Sequence, residues 1–330
     1  MSGIDLARRL YEHEVRPRLG ARPHAAALLG AGSEVLGFDD EVSTDHDFGP
    51  RVQIFLPPGA PVVAELGGDD RVEVTTAGRF FADRLGADPA AGFTLEDWLV
   101  APTQTLATLI AGAVLHDPDG ELARRRARLA WYPDDVWRYA LAAGWLRVAQ
   151  EEAFVARAGS TGDDLGSRVI AGRLVRELMR LAFLVERRWA PYPKWFGTAF
   201  ARLRLAADIG PPLAEAVAAP DWRAREAALV TAASRIAAAT NDLGLATPVD
   251  PAPRPYYTRD IRVLGADRFV VALTAAIGDP PVRALLERLG GRRGGPVPTL
   301  PGTIDQVTDS TDVLTDPVRC RAAAPLLGTG

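Results

Sequence analysis

A turn of small residues, followed at a short distance by two aspartates, is the feature that most constrains how this chain of 330 residues folds. Residues 30–33 have the sequence Gly-Ala-Gly-Ser, and the run that precedes them, residues 25–29, is apolar. This pattern predicts a strand, a tight turn and a helix start, where exposed backbone N–H groups attract an anion. Glycine at position 32 lets a ligand approach the backbone, and Ser33 offers a hydroxyl and an N–H to a phosphate oxygen.

Asp45 and Asp47 open a stretch in which one set of alternate positions is polar and the other is largely apolar. The alternation predicts a strand over residues 45–56, with both aspartates and Arg51 on the same face. Two carboxylates on one face suit Mg²⁺ or Mn²⁺, which bind oxygen ligands. We expect Arg51 to contact a phosphate.

Gly32-Ser33 and Asp45-x-Asp47 together resemble the signature of the nucleotidyltransferase superfamily, which includes DNA polymerase beta and the aminoglycoside nucleotidyltransferases. Residues 28–37 and 43–51 are similar, more narrowly, to the bacterial DUF4037 group. Further matches to that group run through most of the chain: His116-Asp117-Pro118-Asp119-Gly120-Glu121-Leu122, Ala190-Pro191-Tyr192-Pro193-Lys194-Trp195 and Gly302-Thr303-Ile304-Asp305-Gln306-Val307.

The resemblance implies an enzyme that transfers a nucleoside monophosphate from an NTP, with ATP as the expected donor, to a small-molecule hydroxyl or amine and releases pyrophosphate. A protein side chain is a further possible acceptor. The alternative is a nucleotide sensor or partner subunit that binds the nucleotide in the same pocket without catalysis. In the enzyme, Gly32 and Ser33 would hold the triphosphate, and Asp45 and Asp47 would bind the metal ion.

A third carboxylate commonly comes from a neighbouring strand in such enzymes. The β-branched run at residues 71–76 contains Glu73, which is the candidate, and Glu65 is the competitor. An ordinary solvent-facing position is the alternative for either residue. Without a third carboxylate, the metal would be held by two aspartates, or the nucleotide would be bound without turnover.

Two residues of the later sequence complete the expected site. Lys194 is the only lysine, and its compact charge suits a tight phosphate pocket that a guanidinium does not fit. A chance remainder of an arginine-rich composition is the alternative. Asp163 precedes a predicted helix, where it would act as the catalytic base or simply cap the helix N-terminus.

The chain changes character near residue 120. Before it, a helix is predicted over residues 4–19, and further strands over 62–66 and 71–76. After it, apolar residues at helical spacing predict helices over residues 121–131, 134–157, 163–189, 193–206, 222–243 and 267–277, with residues 210–212 (Gly-Pro-Pro) as a breaker.

The predicted fold is therefore an α/β nucleotidyltransferase domain, a small mixed sheet with flanking helices, followed by an all-α helical bundle. We predict a catalytic domain at residues 1–120, a helical acceptor- and nucleotide-binding domain at 121–248, and a C-terminal extension of helices and loops at 249–330.

Composition narrows the classes of partner. A net charge of −4 disfavours a long nucleic acid, which usually requires a basic surface. The single cysteine, Cys320, excludes an intramolecular disulfide and a cysteine zinc cage. The sequence has no apolar run of membrane-spanning length and no secretory pattern at its start, so we expect a cytoplasmic protein without a membrane partner.

Overall fold

The computed structural model describes residues 2–38, 49–61, 66, 68–291 and 297–329. The chain forms two compact units, of which the first comprises residues 1–131 and 310–323 and the second residues 132–309 and 324–330. The predicted division into three parts at residues 120 and 248 stays a prediction.

The first unit contains a four-stranded sheet and short helices. Its strands are β1 (Ala25–Leu28), β2 (Val52–Phe55), β3 (Val72–Thr75) and β4 (Ala113–His116). Its helices are α1 (Gly3–Leu10), α2 (Arg16–Leu19), α3 (Ser33–Leu36), α4 (Ala77–Leu85), α5 (Leu95–Val100), α6 (Thr103–Ile110), α7 (Glu121–Arg128), α17 (Thr311–Leu314) and α18 (Pro317–Ala322), with a π-helical turn at Tyr11–Val15 and a 3₁₀ turn at Pro89–Ala91.

The sheet is mixed, with the strand order β3-β2-β1-β4. β1 is antiparallel to β2 and to β4, and Ala26 lies opposite Ile54 and His116. β2 and β3 are parallel, and Gln53 lies opposite Glu73. The mixed α/β class with a small sheet and many helices is therefore confirmed.

The first helical segment covers one face of the sheet. Leu10, Tyr11, Val15 and Leu19 are almost completely buried and form one core cluster with apolar strand residues such as Ile54. The predicted helix over residues 4–19 is thus continuous from α1 through the π-helical turn to α2. Burial of this apolar stripe anchors β1, which leads into the small-residue turn, and its neighbour β2.

Only part of the predicted strand at residues 45–56 can be compared with the structure. β2 occupies Val52–Phe55, whereas Asp45 and Asp47 lie outside the described residues. Most of the predicted strand at 62–66, including Glu65, also lies outside them. The strand predicted at 71–76 is confirmed as β3.

Helices dominate the second unit. They are α8 (Asp134–Glu151), α9 (Phe154–Gly159), α10 (Asp164–Val185), α11 (Pro193–Phe200), α12 (Ala206–Ala218), α13 (Trp222–Asp242), α14 (Asp267–Ala275), α15 (Pro280–Leu289) and α16 (Ile304–Val307), with a 3₁₀ turn at Ala324–Leu327 and a two-stranded ribbon of β5 (Arg254–Pro255) and β6 (Arg262–Val263).

The helix predicted at residues 134–157 is interrupted after α8. Glu152 is the C-cap of α8, and its carboxylate accepts hydrogen bonds from the backbone N–H groups of Leu264, Gly265 and Ala266 at 2.9–3.1 Å. These donors lie just before α14. Glu152 therefore links the C-terminal end of α8 to the N-terminal end of α14.

The prediction that residues 210–212 break a helix is wrong, because Pro211 and Pro212 lie inside α12. Ile209 and Leu213 are buried where α12 packs on α13. Proline at position 212 removes the usual donor to the carbonyl of Asp208, and Arg235 of α13 donates to that carbonyl instead. Packing of α12 on α13 and the hydrogen bond from Arg235 therefore offset the free-energy cost of proline inside the helix.

None of the helices that the structure describes is both long and apolar enough to cross a membrane.

Candidate functional site

The small-residue turn connects β1 to α3 and has a conformation that requires glycine. Gly30 and Gly32 have φ angles of 87° and 136°, which L side chains rarely adopt. A Cβ atom at Gly32 would also overlap the Arg51 guanidinium and the Glu34 carboxylate. The turn therefore requires glycine at position 32, because the Arg51 guanidinium and the Glu34 carboxylate occupy the space that a side chain would take.

Arg51 and Glu34 form the ion pair that holds this turn. Nη2 and Nε of Arg51 lie 2.6 and 3.0 Å from Oε1 of Glu34, and Nη2 also donates to the carbonyl of Ala31. The Glu34 side chain is only 11% exposed, whereas that of Arg51 is 34% exposed. The structure thus brings Arg51 to the turn that contains Gly32 and Ser33, as a phosphate contact would require.

Gln53 fixes the end of β1 from the adjacent strand. Its Oε1 accepts the N–H of Leu29 at 2.9 Å, and its Nε2 donates to the carbonyl of Leu29 at 3.2 Å. Both residues are buried, so the amide satisfies backbone groups that water does not reach. Gly30 is held from another side, because its N–H donates to the carbonyl of Thr108 at 3.1 Å.

Ser33 is the first residue of α3, which has only four residues and ends at Gly37 in the left-handed conformation. A single helical turn aligns few peptide dipoles, so its contribution to anion binding is small. The helix start at Ser33 therefore gives little support of its own to the expected phosphate site.

Glu73 lies on β3, beside Gln53 on β2, and is engaged in an ion pair. Nη2 of Arg84 lies 3.2 and 3.3 Å from its two carboxylate oxygens. The guanidinium carbon of Arg84 also lies 3.6 Å from the centroid of the Phe80 ring. A Cβ atom built on Gly30 would be 3.4 Å from Nε of Arg84, so this ion pair borders the turn.

Arg84 is not among the site residues that the sequence predicts. It follows Phe80 by four residues in a helix directly after β3, a spacing that stacks a guanidinium on an aromatic ring. That spacing is the signal that the sequence offers, although it does not reveal that Gly30 lies next to the arginine.

The expected metal ligands are only partly represented in the structure. Asp45 and Asp47 lie outside the described residues, as does the competitor Glu65, so only Glu73 can be placed. Its carboxylate is 44% exposed and has the oxygen donors that Mg²⁺ prefers, but both oxygens face Arg84. Within residues 2–38, 49–61, 66, 68–291 and 297–329, no three His, Cys, Asp or Glu side chains are grouped as metal ligands.

The two remaining predicted residues belong to the second unit. Asp163 is the N-cap of α10, and its Oδ1 accepts the N–H of Gly166 at 2.8 Å. Asp163 therefore caps the helix, as the alternative interpretation of the sequence expects. Its role as catalytic base stays a prediction. Lys194 is exposed in the first turn of α11, with Nζ 5.0 Å from the centroid of the Trp195 ring.

Residues 98–196 match the model of a family described as "Domain of unknown function (DUF4037)". This match includes two of the similar segments, at residues 116–122 and 190–195, but it does not reach Gly32, Ser33 or Arg51. No curated protein and no solved structure gives a significant match. The family match supports the resemblance to the DUF4037 group over this part of the chain.

Proposed function

We propose that this protein is a metal-dependent nucleotidyltransferase that moves a nucleoside monophosphate from an NTP to a hydroxyl or amine of a small molecule. The observation that carries the proposal is the glycine turn at residues 30–33, which is bordered by the guanidinium groups of Arg51 and Arg84. ATP is the donor to test first, and a protein side chain is a second class of acceptor.

The turn offers a polyphosphate two guanidinium groups in fixed positions. Gly32 has no side chain of its own, and the Arg51 guanidinium and the Glu34 carboxylate lie over it, while Arg84 lies next to Gly30. Each guanidinium is paired with a carboxylate, Glu34 or Glu73, which holds it in place before a ligand arrives. Preorganised donors of this kind stabilise charge without reorganisation during the reaction.

The proposed reaction conserves atoms and charge. The acceptor oxygen or nitrogen bonds to the α-phosphorus of the NTP, and the bond from that phosphorus to the bridging oxygen of the β-phosphate breaks. Pyrophosphate leaves with the electron pair of that bond, and the acceptor proton passes to solvent or to a base. Catalysis by positioning and electrostatics is sufficient for such a transfer.

Mg²⁺, when bound, would neutralise charge on the triphosphate, and carboxylates of this chain would hold it. Asp45 and Asp47 are the proposed ligands, with Glu73 as the third. Gly32 and Ser33 would bind phosphate oxygens through the backbone and hydroxyl, and Arg51 would orient the phosphates from β2. The role of Lys194 in binding the triphosphate stays a prediction from the sequence.

The ion pair between Glu73 and Arg84 favours a second candidate function. A carboxylate that is held by an arginine is less available to a metal ion, so the same pocket would bind a nucleotide and signal its presence without turnover. In this alternative the turn at residues 30–33 keeps its role, and only the transfer step is lost.

Transfer of label from an α-³²P-labelled NTP separates these two functions. Each of the four NTPs is incubated with Mg²⁺, the protein and the small-molecule fraction of a cell extract, and labelled products are separated from NTP. We expect a new labelled product with the wild type and none with Asp45→Asn. The exposed control Asp83→Asn, which removes the same charge from α4, is expected to keep the activity.

Retained transfer by Asp45→Asn would contradict the proposed enzyme. Nucleotide binding by the wild type, with no labelled small molecule and no labelled protein, would favour the sensor instead.

A further inference from the structure

The tip of the two-stranded ribbon in the second unit has an aromatic residue in a strained conformation. Residues 256–261 join β5 to β6, and the N–H of Arg259 donates to the carbonyl of Tyr256, which closes a tight turn. Tyr257, the second residue of that turn, has a φ angle of 54°. Gly, Asn or Asp normally occupies such a position, because a large side chain is unfavourable in the left-handed region.

Packing does not compensate for this strain. Tyr257 is 82% exposed, and its ring meets only the ring of Tyr256, edge to face at 4.8 Å. Among the described residues, Arg187 is the other non-glycine residue with a positive φ. Arg187 follows the C-cap of α10, and its guanidinium carbon lies 4.3 Å from the centroid of the buried Trp137 ring. A helix end and an aromatic partner thus explain Arg187, whereas Tyr257 projects into solvent, as strained residues that contact ligands do.

A second aromatic ring with an arginine lies beside the ribbon. Trp222, at the start of α13, packs with Tyr256 on a small apolar core that includes Ile261. The guanidinium carbon of Arg223 lies 4.3 Å from the centroid of the Trp222 ring. Arg223 also pairs with Asp260 of the ribbon at 2.8 Å. The ribbon and the start of α13 therefore form one surface of aromatic rings and guanidinium groups.

This surface is positively charged, unlike the chain as a whole. Residues 254–262 contain Arg254, Arg259 and Arg262, and Asp260 is their one acidic residue. The second unit has 23 Lys and Arg against 20 Asp and Glu, a net charge of +3, whereas the first has 15 against 22, a net charge of −7. The net charge of −4, which disfavours a long nucleic acid, is thus an average over an acidic unit and a unit that attracts anions.

We propose that the ribbon surface, formed by Tyr257, Trp222, Arg223 and Arg259, binds a short stretch of single-stranded nucleic acid. Bases of every kind stack on aromatic rings, and guanidinium groups contact the phosphates. A single strand fits better than a duplex, because only an unpaired base can stack on the Tyr257 ring. The proposal does not depend on the function of the turn at residues 30–33.

Two single-stranded probes, added to the full chain, separate stacking from charge. Oligothymidylate of about ten nucleotides and an abasic strand of the same length have the same phosphates, but only the first has bases. We expect saturable binding of labelled oligothymidylate in fluorescence anisotropy at about 50 mM salt, with an affinity about tenfold higher than that of the abasic strand. Equal affinity for the two strands, or no saturable binding, would overturn the proposal.

Tyr257→Asn removes the ring at a position where asparagine tolerates the positive φ. This variant should keep or raise the urea midpoint of unfolding, while its affinity for oligothymidylate falls about tenfold, to that for the abasic strand. Leu326→Ala is the control, since it removes an apolar side chain that is 66% exposed in the same unit, and it should bind both strands as the wild type does. An unchanged preference for oligothymidylate in Tyr257→Asn would contradict stacking on this ring. If Tyr257→Asn does not fold, the two strands on the wild type decide the matter.

Arg259→Gln tests the phosphate contacts. It should weaken binding of both strands alike and reduce the slope of log affinity against log salt by about 0.7. Arg283→Gln, which removes an exposed arginine from α15, should leave the slope unchanged. Displacement of oligothymidylate by poly-L-glutamate at an equal concentration of negative charge would indicate an acidic protein as the partner and would overturn the nucleic-acid proposal.

Discussion

The two ends of the small sheet in the first unit differ in how tightly they are packed and how completely their buried polar groups are paired. At the turn between β1 and α3, buried polar groups such as the Leu29 amide and the Gln53 side chain have partners, and a Cβ atom at Gly32 has no room. At the other end, a cavity remains and one buried oxygen of Asp117 is unpaired among the described residues. The polar groups of the first end are therefore held by partners within the chain, whereas the second end keeps an open volume and an unpaired carboxylate oxygen among the described residues.

The largest effect that we expect comes from Gly32→Ala. A Cβ atom at φ 136° would be strained and would overlap Arg51 and Glu34, so the free energy of unfolding should fall by about 3 kcal/mol. Gly37→Ala is the matched control, since Gly37 also has a positive φ but no described atom within 4 Å of the point where a Cβ would lie. Its expected cost is about 1 kcal/mol. If Gly32→Ala and Gly37→Ala lower the unfolding free energy equally in urea denaturation, the turn at Gly32 is not tightly packed.

Replacement of Gln53 by leucine tests how β1 is held at the same end. The change leaves the N–H and the carbonyl of Leu29 without their side-chain partner, and we expect a loss of about 2 kcal/mol in unfolding free energy. Gln104→Leu removes a single hydrogen bond, to the carbonyl of Leu314, and should cost about 1 kcal/mol. A smaller loss for Gln53→Leu than for Gln104→Leu would show that the amide does not fix the turn.

A smaller effect is expected from Arg84→Met, which removes the ion pair with Glu73 but keeps an apolar stem over Phe80. Exposed ion pairs contribute little, so unfolding free energy should change by less than about 1 kcal/mol. If the Arg84 guanidinium contacts phosphate, the same variant should bind the nucleotide much more weakly than the wild type, even though its stability hardly changes. Unchanged affinity, measured by calorimetry, would remove Arg84 from the proposed site.

The cavity end should respond to mild acid, although weakly. Burial lowers the pKa of His116, and its neighbours His24 and Arg16 lower it further. The unfolded chain therefore takes up its proton first, and stability that is complete above about pH 6.5 is lost as the pH falls below that value. Denaturation between pH 7.5 and 5 should show a shallower decline for His116→Phe, and an identical decline would exclude His116 as the cause.

Local patterns predicted much of the first unit. The glycines of the turn and the strand at β3 follow from short stretches of sequence, because turns need positive φ angles and strands alternate. The position of Arg84 beside Gly30 depends on how α4 packs, which no local pattern contains. Likewise, α12 forms through its two prolines only because Arg235, from another helix, donates to the carbonyl of Asp208. Asp45 and Asp47, the proposed metal ligands, lie outside the described residues, so their role is inferred from the sequence alone.

Thermal unfolding with ATP, GTP, CTP and UTP, each with and without Mg²⁺, tests most directly whether the turn end of the sheet binds a nucleotide. We predict a Mg²⁺-dependent rise of about 5 °C or more for one NTP at a hundredfold excess over its dissociation constant. The rise should vanish in the double variant Asp45→Asn Asp47→Asn and persist in Asp83→Asn Asp312→Asn, which removes the same charge at exposed positions. No rise with any nucleotide, or an equal rise in the Asp45→Asn Asp47→Asn variant, would contradict a metal-nucleotide site at this turn.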